Sequence, residues 1–363
     1  MTQDAVDWAV LADAAQRELS DDFGTPFTRL GYRNGSRRLS VRPFAFNYWW
    51  FAHLIEVRVD AFERSADEFW LVDAEQVLAR LRRRNGGRLE NDYFDDMGWL
   101  TIALLRLHEA SGRVQRLDDA VELWSDIRRS GWNDHEGPSM AWRRSQLDYK
   151  NAPSTGSFAI ASAMLARVTG SAEYDLAARE SLAWLESRLV RPDGLLADGV
   201  NRLGDHRVDD EWLFSYNQGL YLGALVASYD ASGDTAPLSR ALRTASATLA
   251  RLAPQGVITS ENADLHARGG GDIGLFKGVL VRYLGQLIRR SDAAGLTSRA
   301  HEAVAVETSR RFIHTGADLV RAGFARTGSL RVGDDWSRPA PPVTALSTQL
   351  SALILLETQA RLG

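Results

Sequence analysis

No cysteine occurs in the 363 residues, which excludes disulfides, thiolate metal ligands and a cysteine nucleophile while leaving the compartment open. Lysine is nearly missing too: Lys150 and Lys277 are the only two among 43 basic residues. Positive charge is not in surplus. A net charge of −4 and a pI near 6.0, without a long basic run, give no broad attraction for nucleic acid or an anionic membrane. The opening Met1-Thr-Gln-Asp-Ala-Val-Asp-Trp-Ala-Val-Leu-Ala-Asp-Ala-Ala15 has neither a basic n-region nor an uninterrupted apolar run. It therefore reads as neither signal peptide nor membrane anchor, and a cytoplasmic location is expected.

Several chemistries lack their signatures. The seven histidines include no His-Glu-x-x-His pair, so no zinc site is expected. Gly269-Gly-Gly-Asp-Ile-Gly274 follows no strand-like run and lacks a Walker lysine, and no Gly-x-Ser-x-Gly elbow is present. Asp209-Asp-Glu211 reads more readily as a solvated acidic turn than as a calcium loop. No metal and no cofactor are expected. Strand-like alternation is scarce as well.

What the chain has is helical periodicity. Apolar helices ending at Gly112, Gly170 and Gly233 are each followed by a second amphipathic run, over 117–127, 174–189 and 238–252. The glycines suit left-handed C-caps, so these segments read as repeated helical hairpins. Further helices are predicted near 3–19, 44–64, 72–84, 272–291, 298–315 and 342–361, the last entered through Pro339-Ala-Pro-Pro342. About twelve helices with no linker fit an all-α toroid of six hairpins, the (α/α)6 barrel, over 1–363 as one domain. In such a toroid the inner helices begin at one end. Blocks at the predicted inner-helix starts (Phe46–Phe51, Asn91–Trp99, Tyr149–Ala152, Ser215–Gly219 and Gly271–Gly278) would converge on one cleft. Their aromatic, amide and acidic content suits a carbohydrate, whose ring faces stack on aromatics while its hydroxyls need donors and acceptors.

Within Asn91-Asp-Tyr-Phe-Asp-Asp-Met-Gly-Trp99, Asp95 and Asp96 stand side by side at a helix entrance. Adjacent carboxyls repel, so one would ionise while the other keeps its proton, the arrangement glycosidic cleavage uses. On spacing alone a second reading stays open, that both acids merely complement the helix dipole. Trp49, Trp50, Trp99, Trp142 and Trp212 divide in the same way between sugar platforms and core packing. Both lysines fall inside the cleft blocks, either as binding groups or as ion-paired residues.

Taken together, Asn47-Tyr-Trp-Trp50, Tyr93-Phe-Asp-Asp-Met-Gly-Trp99, Lys150-Asn-Ala152, Asp198-Gly199, Tyr216-Asn-Gln-Gly219 and Phe276-Lys-Gly-Val-Leu-Val-Arg-Tyr283 resemble, in order and spacing, glycoside hydrolase family 76, the α-1,6-mannanases with an (α/α)6 fold. The resemblance implies a retaining hydrolase with Asp95 as nucleophile and Asp96 as general acid/base, needing no metal and acting on α-mannan-derived oligosaccharides. It also implies Asn91, Tyr93, Trp99, Trp142, Lys150, Asn151, Asp198, Tyr216, Asn217, Gln218, Phe276 and Lys277 as substrate-binding residues. Two segments depart from the family pattern, Glu136–Trp142 and Pro153–Gly156, so the subsites they form are expected to differ. Transglycosylation, a sugar epimerase and a non-catalytic carbohydrate-binding toroid are the competing functions.

Overall fold

The computed structural model describes residues 6–25, 31–36, 46–261 and 271–363. Within them the chain forms twelve α-helices: α1 Trp8–Phe23, α2 Tyr48–Ser65, α3 Glu68–Arg84, α4 Phe94–Ser111, α5 Val114–Gly131, α6 Ala152–Thr169, α7 Ala172–Arg188, α8 Ser215–Ser232, α9 Ala236–Leu252, α10 Ile273–Ala293, α11 Ala300–Thr327 and α12 Leu346–Leu362. The even-numbered helices pack side by side in a closed inner ring, α2 on α4, α4 on α6, α6 on α8, α8 on α10, α10 on α12 and α12 back on α2. Odd-numbered helices lie outside. Each of α3, α5, α7 and α9 packs on the inner helix before it, α11 on α9, α10 and α12, and α1 on α12. This is an (α/α)6 barrel.

Sequence sets the two rings apart. Outer α9 buries Leu238, Ala241, Leu242, Ala245, Thr248 and Leu249, the three- and four-residue spacing of a one-sided helix. Inner α6 buries every residue from Ala152 to Ala163, so it must be small or apolar on all faces. Close approach within the inner ring also explains two motif glycines. A Cβ at Gly219 would lie 2.9 Å from the backbone of Leu280, and one at Gly278 would lie 2.7 Å from Cα of Ser351. One contiguous apolar core runs through both rings.

The three hairpin glycines do cap their helices in the left-handed region, with φ of 69° at Gly112, 71° at Gly170 and 72° at Gly233. Differences from the sequence reading lie at the ends and in the loops. The first predicted helix is displaced to α1, whose N-cap Asp7 accepts from the backbone N–H groups of Ala9 and Val10. Residues 1–5, 44–45 and 262–270, which parts of the predicted helices and of the glycine-rich loop include, lie outside the described residues. Pro339–Pro342 is not a helix entry: α12 starts later, at Leu346.

Small strands are the larger departure. β1 Gly24–Thr25 pairs with β2 Gly31–Tyr32, and β3 Trp132–Asn133, β4 Ser139–Arg143, β5 Gln146–Asn151 and β6 Gly199–Val200 form an antiparallel sheet in that order. The β4–β5 hairpin stands over the start of α4, where Tyr93 bridges to Arg143. No described helix is long and apolar enough to cross a membrane.

Candidate active site

The inner helices start at one end of the ring, and a cavity of about 540 Å³ opens there. Its described lining comes from the entry to α2 (Phe46, Asn47, Tyr48, Trp49), Asn85 after α3, the entry to α4 (Asn91, Tyr93, Asp95, Asp96, Trp99), Trp142 on β4, Tyr216 on α8, and Asp272 and Phe276 at the start of α10. Aromatic contacts order these walls. Tyr216 stacks on Phe276 with centroids 3.9 Å apart, Trp49 stacks on Trp99 at 6.3 Å, and Tyr93 meets Trp142 edge-on at 5.4 Å.

Asp95 and Asp96 occupy the first turn of α4, so backbone N–H groups and the positive end of the helix dipole lie beside them. Their partners differ. Asp95 accepts the backbone N–H of Asp96 at 3.0 Å and shares the cavity wall with the Trp142 indole. Among the described residues, Asp96 accepts only the Asn91 amide, Nδ2 to Oδ2 at 2.9 Å. Burial pushes both carboxyls above the usual carboxylate range, and Asp96 goes well above it because Asp95 and Asp272 add negative charge beside it. The backbone N–H groups and the Trp142 indole oppose the rise at Asp95. The first proton to leave the pair therefore comes from Asp95, and Asp96 keeps its own to higher pH.

Asp272, at the entry to α10, is the third carboxylate in the cavity. Its Oδ1 accepts both indole N–H groups of Trp49 and Trp50, at 2.9 and 3.0 Å. No arginine or lysine is among the described lining residues.

The structure brings Asn91, Tyr93, Asp95, Asp96, Trp99, Trp142, Tyr216 and Phe276 to the cavity. It does not bring Lys150, Asn151, Asp198, Asn217, Gln218 or Lys277 to the described lining, and their bonds say why. Lys150 is fully buried and donates to the carbonyls of Ser139 at 2.7 Å and Asn133 at 3.1 Å, tying β5 to β3 and β4; burial pulls its ammonium down to about 7. Asn151 caps α6 by accepting the Ser154 N–H at 3.1 Å. Asp198 accepts from Tyr149 at 3.0 Å and Asn217 at 2.8 Å and pairs with Arg202. Gln218 closes both amide bonds on the Leu196 backbone, at 2.9 and 2.8 Å. Lys277 lies 4.2 Å from the Trp336 ring centroid, and its burial pulls it down to about 8 against the attraction of Glu261 and Asp334. Asp209 is tied to Arg202 at 3.1 Å and Tyr149 at 3.2 Å.

The sequence pattern of glycosyl hydrolase family 76 matches residues 27–310. The chain belongs to that family. Among solved structures, this family 76 chain is similar to the Lin0763 protein of Listeria innocua, with 34% identity over 98% of both chains and a TM-score of 0.88. It is similar to the GH76A α-1,6-mannanase of Salegentibacter sp. HEL1_6, with 31% identity, 98% of this chain and 100% of that one covered, and a TM-score of 0.88. An inactive variant of that mannanase, in which two consecutive aspartates are replaced by alanine, is in complex with α-1,6-mannotetrose; it is 30% identical, covers 99% of this chain and 100% of its own, and has a TM-score of 0.88. No curated protein matches.

The sequence reading of this family 76 chain put Phe46, Asn47, Tyr48 and Asp272 in the blocks expected at the cleft without naming them as site residues, and it missed Asn85 altogether. For Asp272 a signal existed: an acid at an inner-helix start is the feature that marked Asp95. For Asn85, which follows outer α3, none did.

Proposed function

We propose that the protein is a retaining glycoside hydrolase that cleaves α-1,6-mannosidic linkages in mannan-derived oligosaccharides. The observation that carries this reading is the adjacent Asp95–Asp96 pair, unequally hydrogen-bonded in a cavity walled by aromatic rings, on a chain of family 76. The relative complexed with α-1,6-mannotetrose supports the choice of substrate.

In the first step ionised Asp95 attacks the anomeric carbon while protonated Asp96 gives its proton to the departing oxygen. Asp96, now a carboxylate, takes a proton from water, whose oxygen displaces Asp95 and restores the starting configuration. Asn91 stays on Asp96 through both roles. The half-buried rings of Trp49 and Tyr216 are offered for sugar stacking, backed by the buried Trp99 and Phe276, and Asp272 keeps the indoles of Trp49 and Trp50 oriented.

The test is time-resolved product analysis with linear α-1,6-mannooligosaccharides, following chain length and anomeric configuration. Fragments released first as α-anomers are expected. Release of β-anomers first would overturn the retaining assignment, and intact substrate with folded protein would overturn the mannosidase.

A further inference from the structure

Asn91 reaches Asp96 from a loop, not from a helix, so something must hold that loop still. The segment before α4 has no side-chain N-cap: Tyr93 occupies the cap position without such a bond. What grips it comes from the tip of the β4–β5 hairpin. The Arg144 backbone N–H donates to the carbonyl of Asp92 at 2.9 Å, and its Nε donates to the carbonyl of Asn91 at 3.0 Å. Its guanidinium carbon lies 5.4 Å from the centroid of the Phe94 ring, and its far nitrogen pairs with Asp126 on α5. Arg144 thus spans four consecutive residues of the approach to the aspartates, anchored at its outer end to a neighbouring helix.

Two residues earlier on the same hairpin, Trp142 lines the cavity with Asp95 and favours its ionised form. One strand end therefore acts on both carboxyls, directly at Asp95 and through Asn91 at Asp96. We infer that Arg144 is a positioning residue, which holds the Asn91 amide against Asp96 and so keeps the two carboxyls in unequal hydrogen-bonding environments. Arg144 is not among the residues lining the cavity, so it acts only through Asn91. The inference rests on the proposed roles of Asp95 and Asp96.

The consequence is a pH dependence of defined sign. The charged or titratable groups facing Asp96 are Asp95 on α4, Asp272 at α10 and Tyr48 on α2, none of them a cation. Among the described residues, the Asn91 N–H donor is thus the one contact that favours the ionised form. Remove it and Asp96 holds its proton to higher pH. The alkaline limb of kcat/KM, which reports loss of the general acid, moves upward; the acid limb, set by Asp95, stays.

The experiment compares pH profiles of kcat/KM on α-1,6-mannotetraose for the wild type, Asn91→Ala, Arg144→Ala, Arg144→Lys and the Asn91→Ala/Arg144→Ala double variant, with folding checked by circular dichroism. Asn91→Ala and Arg144→Ala are expected to raise the alkaline limb by about one pH unit, and the double variant no further than Asn91→Ala alone. Arg144→Lys retains charge beside Asp126 without the second donor, so it is expected to keep the raised limb, and it serves if Arg144→Ala does not fold. An unmoved limb in the Arg144 variants, or a double variant equal to the sum of the singles, would overturn the inference. If the wild type does not cleave the tetraose, the functional reading fails instead. The same comparison is then made by carbon NMR titration of the Asp96 carboxyl, assigned with Asp96→Asn, where the same upward displacement is expected and its absence is decisive.

Discussion

The two ends of the inner ring both bury carboxylates, on α4 and at the entry to α10 at one end and on α2 at the other, and treat them in opposite ways. At the end where the helices start, Asp95, Asp96 and Asp272 share a cavity with no described cation on its wall. At the other end, Asp60 lies 2.8 Å from both Arg106 and Arg282 and 3.2 Å from Arg361, while Glu56 is 3.3 Å from Arg106. Burial opposes ionisation at both ends. At the base the arginines outweigh it, holding Glu56 at about 2 and Asp60 well below the usual range; at the mouth nothing outweighs it, and both aspartates rise. His53 stands between the two, its ring 4.7 Å from Trp99 of the cavity and its Nδ1 3.2 Å from Glu56. Acidity here is decided by which end supplies a counterion, and a pair left without one is suited to moving protons.

The sharpest way to break the contrast is to neutralise the mouth. Asp95→Asn is expected to lower kcat on mannooligosaccharides by about 10³-fold or more, and Asp96→Asn comparably for natural leaving groups but far less for an aryl one. Steady-state kinetics on both substrate types would check this, and equal losses on both in Asp96→Asn would remove its role as acid.

At the base the same kind of change should strike stability instead. Arg106→Ala leaves Asp60 and Glu56 buried with less compensation, at a cost of about 3–5 kcal/mol in urea unfolding, with kcat per folded molecule kept. Loss of kcat without loss of stability would show that the two ends do not divide their labour in this way.

Acid titration separates the ends further. Glu56 and Asp60 have folded values below their unfolded ones, so their stabilisation is present above about pH 4 and is lost as pH falls toward about 2. Asp95 and Asp96 have raised values, so their contribution is full below about pH 4 and fades as pH climbs. Asp96→Asn is therefore expected to raise Tm by a few degrees near pH 8 and to leave it unchanged near pH 4, as thermal unfolding at the two values would read. The smallest effect belongs to Asp272→Asn: removing its charge should lower both limbs of the activity profile by a few tenths of a pH unit, and an upward movement would contradict the repulsion assigned to it.

Much of this was legible in the residues, and what was hidden was hidden for physical reasons. The outer helices declare themselves by stripes such as Leu238, Ala241, Leu242 and Ala245, and the glycine caps by the one residue type that takes positive φ freely. Asp95 and Asp96 were visible as two adjacent acids beside aromatics at a helix entrance, but spacing alone did not separate a catalytic pair from acids that complement the helix dipole. Lys150, Asn217 and Gln218 look like sugar ligands on paper because the same polar groups that grip hydroxyls also grip backbone. Which of the two they do depends on carbonyls brought near by folding, as with Ser139 and Leu196. The base network was equally silent. Its arginines lie 46 to 301 residues from Asp60 in sequence, and no local pattern links them. The β4–β5 hairpin was missed because its residues alternate too briefly to read as strands.

The first and last helices, α1 and α12, pack on each other, with Gln16 bonded to Glu357 at 2.9 Å and Arg361 reaching across to Asp60 on α2. A chain made from its N-terminus thus lays down every described wall of the cavity, from Phe46 to Phe276, long before the segment that closes the circle has been synthesised. Until α12 wedges between α10 and α2, those two helices have no neighbour on that side, and the pocket is an open arc with apolar flanks. Closure of the ring arrives with the seventeen residues of α12, as a clasp makes a necklace of a string of beads.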